Sequence, residues 1–224
     1  ATNEELLAAC SQHLVKSGFD LKSLMRVIMQ STTYQRSSQP LAENQAEKRF
    51  YARYYPRRMM AEVLLDALSQ VTDVPSVFNE IIFNDSSKQK TDFYPKGTRA
   101  IQLYDSAVAS NFLKTFGRND REITCECERS DQPSMVQVLH ISNGSTINNK
   151  MKMKDGHVDQ LAAGKTPYEG IIQGAYLRCL ARYPTEKEAK GLLEMMQETK
   201  DDRRLAIEDL YWAILSSREF LFNH

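Results

Sequence analysis

No apolar run in these 224 residues reaches the roughly 18 to 20 positions that a membrane-spanning helix needs. The N-terminus lacks the basic, apolar, small-residue order of a secretion signal. Signatures of familiar chemistry are also missing: there is no C-x-x-C-H for covalent haem, no H-E-x-x-H, no G-x-S-x-G and no Walker A loop. Neither charge is in excess, with Lys+Arg and Asp+Glu at 29 each, so no overall field draws the chain to nucleic acid or anionic lipid. Cysteine is sparse, at positions 10, 125, 127 and 179, which is too few for a disulfide scaffold. These absences predict a chain with no direct membrane insertion, no nucleic-acid partner and no cofactor of its own. A start at Ala1 without Met, inside a ready-made helix start, suggests a piece of a longer protein.

With 42% hydrophobic residues, the chain can bury a sizeable core. The expected organisation is one domain over 1–224, divisible into subdomains 1–153 and 154–224 with a seam at 154–165. Thr2 and Glu5 form a capping box ahead of Leu6, Leu7, Cys10 and Leu14, and Gly18 ends that helix. Asp20 caps a second helix carrying Leu21, Leu24, Met25 and Ile28, so the two predict a hairpin. A short polar helix is expected around Arg49 and Arg53. Pro56 then opens a helix whose Met60, Val63, Leu64, Ala67, Leu68 and Val71 face inward. From Pro75 to Gly117 the pattern predicts loop, with a strand at Arg99–Tyr104. Three C-terminal helices follow, opened by Thr166-Pro167, by Thr185 with Glu188, and at about Arg203. The fold class is mainly α, an irregular helical domain with long loops, at most a small strand pair, and a C-terminal three-helix unit.

Polar chemistry is densest at Phe116–Asn143, which reads as too polar for core. Arg118, Arg121 and Arg129, with Arg57, Arg58 and Arg99 folded nearby, have the guanidinium forks to grip sulfate, carboxylate or phosphate. Interleaved Asp120, Glu122, Glu126, Glu128 and Asp131 offer the alternative of an internal ion-pair network. Cys125 and Cys127 supply only two of a metal's four ligands, so packing or a disulfide is favoured over metal. Glu62 and Asp66 share a helix face and are weak candidates for proton transfer, as is His140. A salt bridge from Arg58 to Glu62 and a structural histidine are the blander readings. Cys10 and Cys179 lie on apolar helix faces and read as core.

The succession TNEELL, LMRVIMQSTTYQRSS, RRMMAEVLLDAL, RAIQLY, FGRNDREITCECER and QVLHISNG resembles the planctomycete family of domains of unknown function numbered fifteen fifty-three. Tyr34, Arg36, Ser37, Arg57, Arg58, Glu62, Asp66, Cys127, Arg129, Gln137 and Asn143 fall where that family places such residues. Cys125 and Gly144 depart from its commoner form. The resemblance implies a periplasmic or cell-surface setting within a large exported protein that often carries a c-type cytochrome domain. Any haem then belongs to another part of that parent. It implies no catalytic residues. The expected function is a non-catalytic binding or interaction domain whose partners are other domains of the parent. The alternative is a hydrolase or lyase acting on an anionic, sulfated or carboxylated polysaccharide.

Overall fold

Side-chain caps set most helix starts in the computed structural model, which describes residues 3–46, 51–83, 85–104, 107–118, 134–199 and 202–223. The chain divides into two units, the first ending at Pro56 and the second comprising Arg57–Asn223. In the first unit, α1 (Glu4–Lys16) is capped by Asn3, whose side chain accepts from the backbone N–H of Leu6 at 3.1 Å. The cap therefore lies one residue beyond the expected Thr2 box. Gly18, at φ +68°, ends the helix as its spacing predicts. Asp20 accepts from Lys22 and Ser23 to open α2 (Leu21–Gln30), and His13 Nε2 meets Ser23 Oγ at 3.0 Å to tie the hairpin. Arg49 lies outside the described residues, while Arg53 sits in a non-helical stretch with its guanidinium 4.2 Å from the Tyr55 ring. Pro56 disfavours helical geometry at Tyr55, in keeping with the non-helical course of 51–56.

In the second unit, β1 (Arg57–Arg58) pairs antiparallel with β4 (Phe222–Asn223), Arg58 opposite Phe222. That pairing occupies the residues expected to begin a helix, so α3 runs instead from Ala61 to Thr72. A second antiparallel pair joins β2 (Glu80–Ile82) and β3 (Lys88–Lys90). A 3-10 turn follows at Ala100–Gln102. Among the described residues four short helices succeed it: α4 (Asn111–Thr115), α5 (Met135–Asn143), α6 (Ser145–Lys152) and α7 (His157–Ala163). The C-terminal unit is α8 (Tyr168–Leu180), α9 (Glu186–Glu198) and α10 (Arg203–Leu215), with a last turn α11 (Arg218–Leu221). The fold is mainly α, with two small antiparallel strand pairs among the described residues.

The core joins Leu64, Leu65, Leu68 and Val71 of α3 to Ile171, Ile172 and Ala175 of α8 and to Ile207, Leu210 and Leu215 of α10. Burial of each such aliphatic side chain stabilises by about 1.5–3 kcal/mol. Met60 and Val63 are exposed, contrary to the periodicity, and Glu62 and Leu65 point inward instead. Arg99–Tyr104 is no strand because Asp66 caps the 3-10 turn from across the fold, a tertiary contact that overrides local alternation. Nor is 116–143 uniformly surface, since Phe116, Gln137 and Ile141 are buried. Arg182, just after α8, clamps the Glu219 carboxylate at 2.5 and 2.8 Å and that of Glu188 at 3.0 and 2.8 Å. This fork fixes the start of α9 against α11.

Candidate functional site

Glu62, in the first turn of α3, has its carboxylate inside the fold, where Oε1 lies 3.6 Å from Arg118 Nε. Arg118 follows α4, is itself buried, and donates through Nη2 to the Leu103 carbonyl at 3.4 Å. Arg58 donates from Nη2 to the Phe116 carbonyl at 2.9 Å and from Nη1 to that of Met59 at 3.2 Å, its guanidinium 5.5 Å from the Phe116 ring. Arg58 and the Glu62–Arg118 pair are thus both anchored at residues 116–118. Arg57 stays exposed on β1, and Asn143 is exposed at the end of α5. Arg121, Arg129, Cys125 and Cys127 lie outside the described residues.

The other proton-transfer candidates are engaged separately. Asp66 accepts from the backbone N–H of Ala100 at 2.6 Å and of Ile101 at 3.1 Å, so its carboxylate caps the 3-10 turn. His140 Nε2 meets Thr146 Oγ1 at 3.1 Å, and its ring stands edge-on to Phe112 and Phe116. Burial lowers its pKa, which leaves the imidazole neutral at pH 7. Gln137 donates to the Thr115 carbonyl at 3.1 Å and closes the capping box with Ser134, joining α5 to α4. Among the described residues no group of three or more His, Cys, Asp or Glu side chains is arranged to hold a metal ion.

Two cavities carry polar groups that sequence spacing does not reveal. One, of about 260 Å³, is lined by Lys150 of α6, by His140, and by the hydroxyls of Ser76, Ser110, Ser145 and Thr146. Leu65, Phe78 and Phe112 form its apolar wall. Lys150 is 7% exposed and donates to the Val74 carbonyl at 2.6 Å and to Ser69 Oγ at 3.1 Å. Desolvation lowers its pKa to about 8, partly opposed by the distant charge of Asp66.

The second cavity, about 410 Å³, lies among α7, α8 and α10, where Gly170 and Gly174 of α8 leave the wall without side chains. A Cβ at Gly174 would meet nothing within 4 Å. At its polar end, His157 Nε2 meets the Tyr211 hydroxyl at 3.0 Å while Nδ1 lies 3.5 Å from Asp73 Oδ2. Asp73 ends α3 in a left-handed conformation at φ 54° and is fixed by Arg178 Nη2 at 2.6 Å. Arg178 also donates to the carbonyls of Val71 and Gln70, the last acceptors of α3. Burial and then Arg178 lower the His157 pKa, against the opposing pull of Asp73. The ring is neutral at pH 7, and Asp73 favours the tautomer with hydrogen on Nδ1, so Nε2 accepts from Tyr211. Burial raises the Tyr211 pKa, so this phenol donates a hydrogen bond and does not ionise near neutrality. Removing the hydroxyl leaves the half-buried Nε2 acceptor of His157 without this donor. Tyr211→Phe is therefore expected to cost about 1–2 kcal/mol in urea unfolding, and an unchanged midpoint would count against the bond.

His157 and Tyr211 are 54 residues apart in sequence, which is why no motif spacing marks them. The Gly170-x-x-x-Gly174 pair on one helix face is the one local signal of the groove. No helix among the described residues is long and apolar enough to cross a membrane.

The family model described as PSD1, protein of unknown function (DUF1553), matches residues 1–196, and the chain belongs to that family. No curated protein matches the chain. No solved structure matches it either.

Proposed function

We propose that this DUF1553 chain is a binding module of a larger protein and that the α1–α2 hairpin is the element by which it docks on another polypeptide. The observation that carries this reading is that neither helix has a buried residue, although both are rich in large apolar side chains. Leu21, Met25 and Ile28, spaced by four and three along α2, share one face and are 60%, 59% and 42% exposed. Leu6, Leu7 and Val15 add exposed apolar surface on α1. An amphipathic helix of this kind gains its stabilisation by laying its apolar stripe into a groove of a partner. In this reading the partner is another domain of the parent protein, in a periplasmic or cell-surface setting that fractionation of producing cells tests.

Substituting Leu21, Met25 and Ile28 together with Ser is expected to leave the unfolding of the isolated chain within about 0.5 kcal/mol of the parent sequence, as surface changes do. The same change is expected to lower the unfolding midpoint when the chain is part of its natural host. A clear loss of stability in the isolated chain would place the face inside its own fold and overturn the reading.

A further inference from the structure

We propose that the cavity enclosed by α3, α4, α5, α6 and the 76–78 segment is a binding site for a small oxyanion, with Lys150 as its counter-charge. Lys150 is more than nine-tenths buried, yet both of its hydrogen-bond acceptors, the Val74 carbonyl and Ser69 Oγ, are neutral. An ammonium has three donors, so one is left over. No carboxylate among the described residues lies within ion-pair distance of it. Asp66, the acidic group that acts on it from afar, is committed to the backbone of Ala100 and Ile101. A buried cation without a counter-ion is costly, and Met would fill the same space without that cost.

The surroundings supply what an oxyanion needs. Ser76 Oγ sits 3.1 Å from Ser69 Oγ, which links the lysine's own partner to the cavity wall. Ser110, Ser145 and Thr146 add hydroxyls, and Asn111 adds an amide, so one ligand with several acceptor oxygens can be met by many neutral donors. The α6 N-terminus at Ser145 opens on the same space, with the favourable end of its dipole. Phe78 and Phe112 offer an apolar wall to the remainder of an organic acid.

The other charged groups near α6 do not supply this counter-charge. His140 of α5 is neutral and bonded to Thr146. Asp159 of α7 and Arg204 of α10 pair with each other beside α6, where Arg204 Nη2 reaches the Met151 carbonyl at 3.5 Å. Anion binding therefore favours the protonated lysine, and affinity is expected to fall as pH rises through about 8.

Thermal unfolding in graded sodium butyrate and sodium sulfate, against sodium chloride at matched ionic strength, tests the site. The whole chain is expected to show a saturable upward shift with at least one of the two anions. Saturation by butyrate assigns an organic carboxylate, and saturation by sulfate alone an inorganic oxyanion. Lys150→Met is expected to weaken the saturable response at least about tenfold, the effect of losing one charge-assisted contact. Ser145→Trp, at an exposed position of the rim, blocks the mouth while leaving Lys150 and its bonds in place, and is expected to do the same. An unsaturable shift of equal size in all three proteins, or an affinity that does not change between pH 7 and 9.5, overturns the proposal.

Discussion

Glu62→Ala lowers the unfolding free energy by about 3 kcal/mol or more, the loss expected when one member of a buried ion pair is removed. Glu62 is 6% and Arg118 9% exposed, so neither charge keeps more than a remnant of its hydration. Their pairing at 3.6 Å offsets that desolvation. Taking away the carboxylate leaves a guanidinium inside the fold with one counter-charge fewer, and water cannot replace it without opening the contact between α3 and α4. Arg118→Met on its own is expected to destabilise as well. The double variant, apolar on both sides, is expected to recover part of the loss, because matched apolar groups avoid the desolvation altogether. A double-mutant cycle by urea unfolding isolates this coupling. Single and double variants that add without coupling would show the pair to be incidental.

Lys150 makes stability depend on pH above neutrality, and in an unusual direction. Its folded pKa of about 8 lies below the ordinary 10.5, so between those values the unfolded chain binds more protons than the folded one. Stability then rises with pH through this window, and the cost of burying the charge is fully present below about pH 8. From pH 7 to 9.5 the gain is about 2 kcal/mol relative to Lys150→Met, which has no such group to titrate. The comparison with the variant cancels the tyrosines and other lysines that titrate in the same range. Parallel pH profiles for the two proteins would mean that the amine is solvated. A proton-linked anion bound in the cavity would restore the ordinary pKa and flatten the difference.

Much of the fold is legible in local chemistry. Asp20, Thr185 and Gly18 act at the helix ends where their side chains or backbone freedom predict, because capping is settled within four residues of chain. The α4–α7 helices are not legible, since none exceeds nine residues and an amphipathic pattern needs a longer window to declare itself. Glu62, Gln137 and Lys150 are buried polar groups that local pattern does not place inside. Each is held by a partner 22 to 81 residues away in sequence or, for Glu62, by an arginine from beyond α4. Asp66 shows the same limit from the other side: its spacing from Glu62 suggests a carboxylate pair, whereas the fold turns it to the backbone of a distant turn. Of the arginines singled out in the sequence, Arg118 meets Glu62, Arg58 donates to the Phe116 carbonyl and Arg57 is exposed. Sequence spacing finds groups that one helix presents together; it does not find groups, such as His157 and Tyr211, that meet because three helices pack.

The docking role of the hairpin is tested most directly by a photoreactive benzophenone side chain placed at Met25, which is 59% exposed on α2, with the chain produced in its native host. The account predicts a covalent adduct between this position and another polypeptide segment outside these 224 residues, lost when Leu21 and Ile28 are changed to Ser. Adducts confined to the chain's own residues 57–223, or no adduct at all, would contradict it.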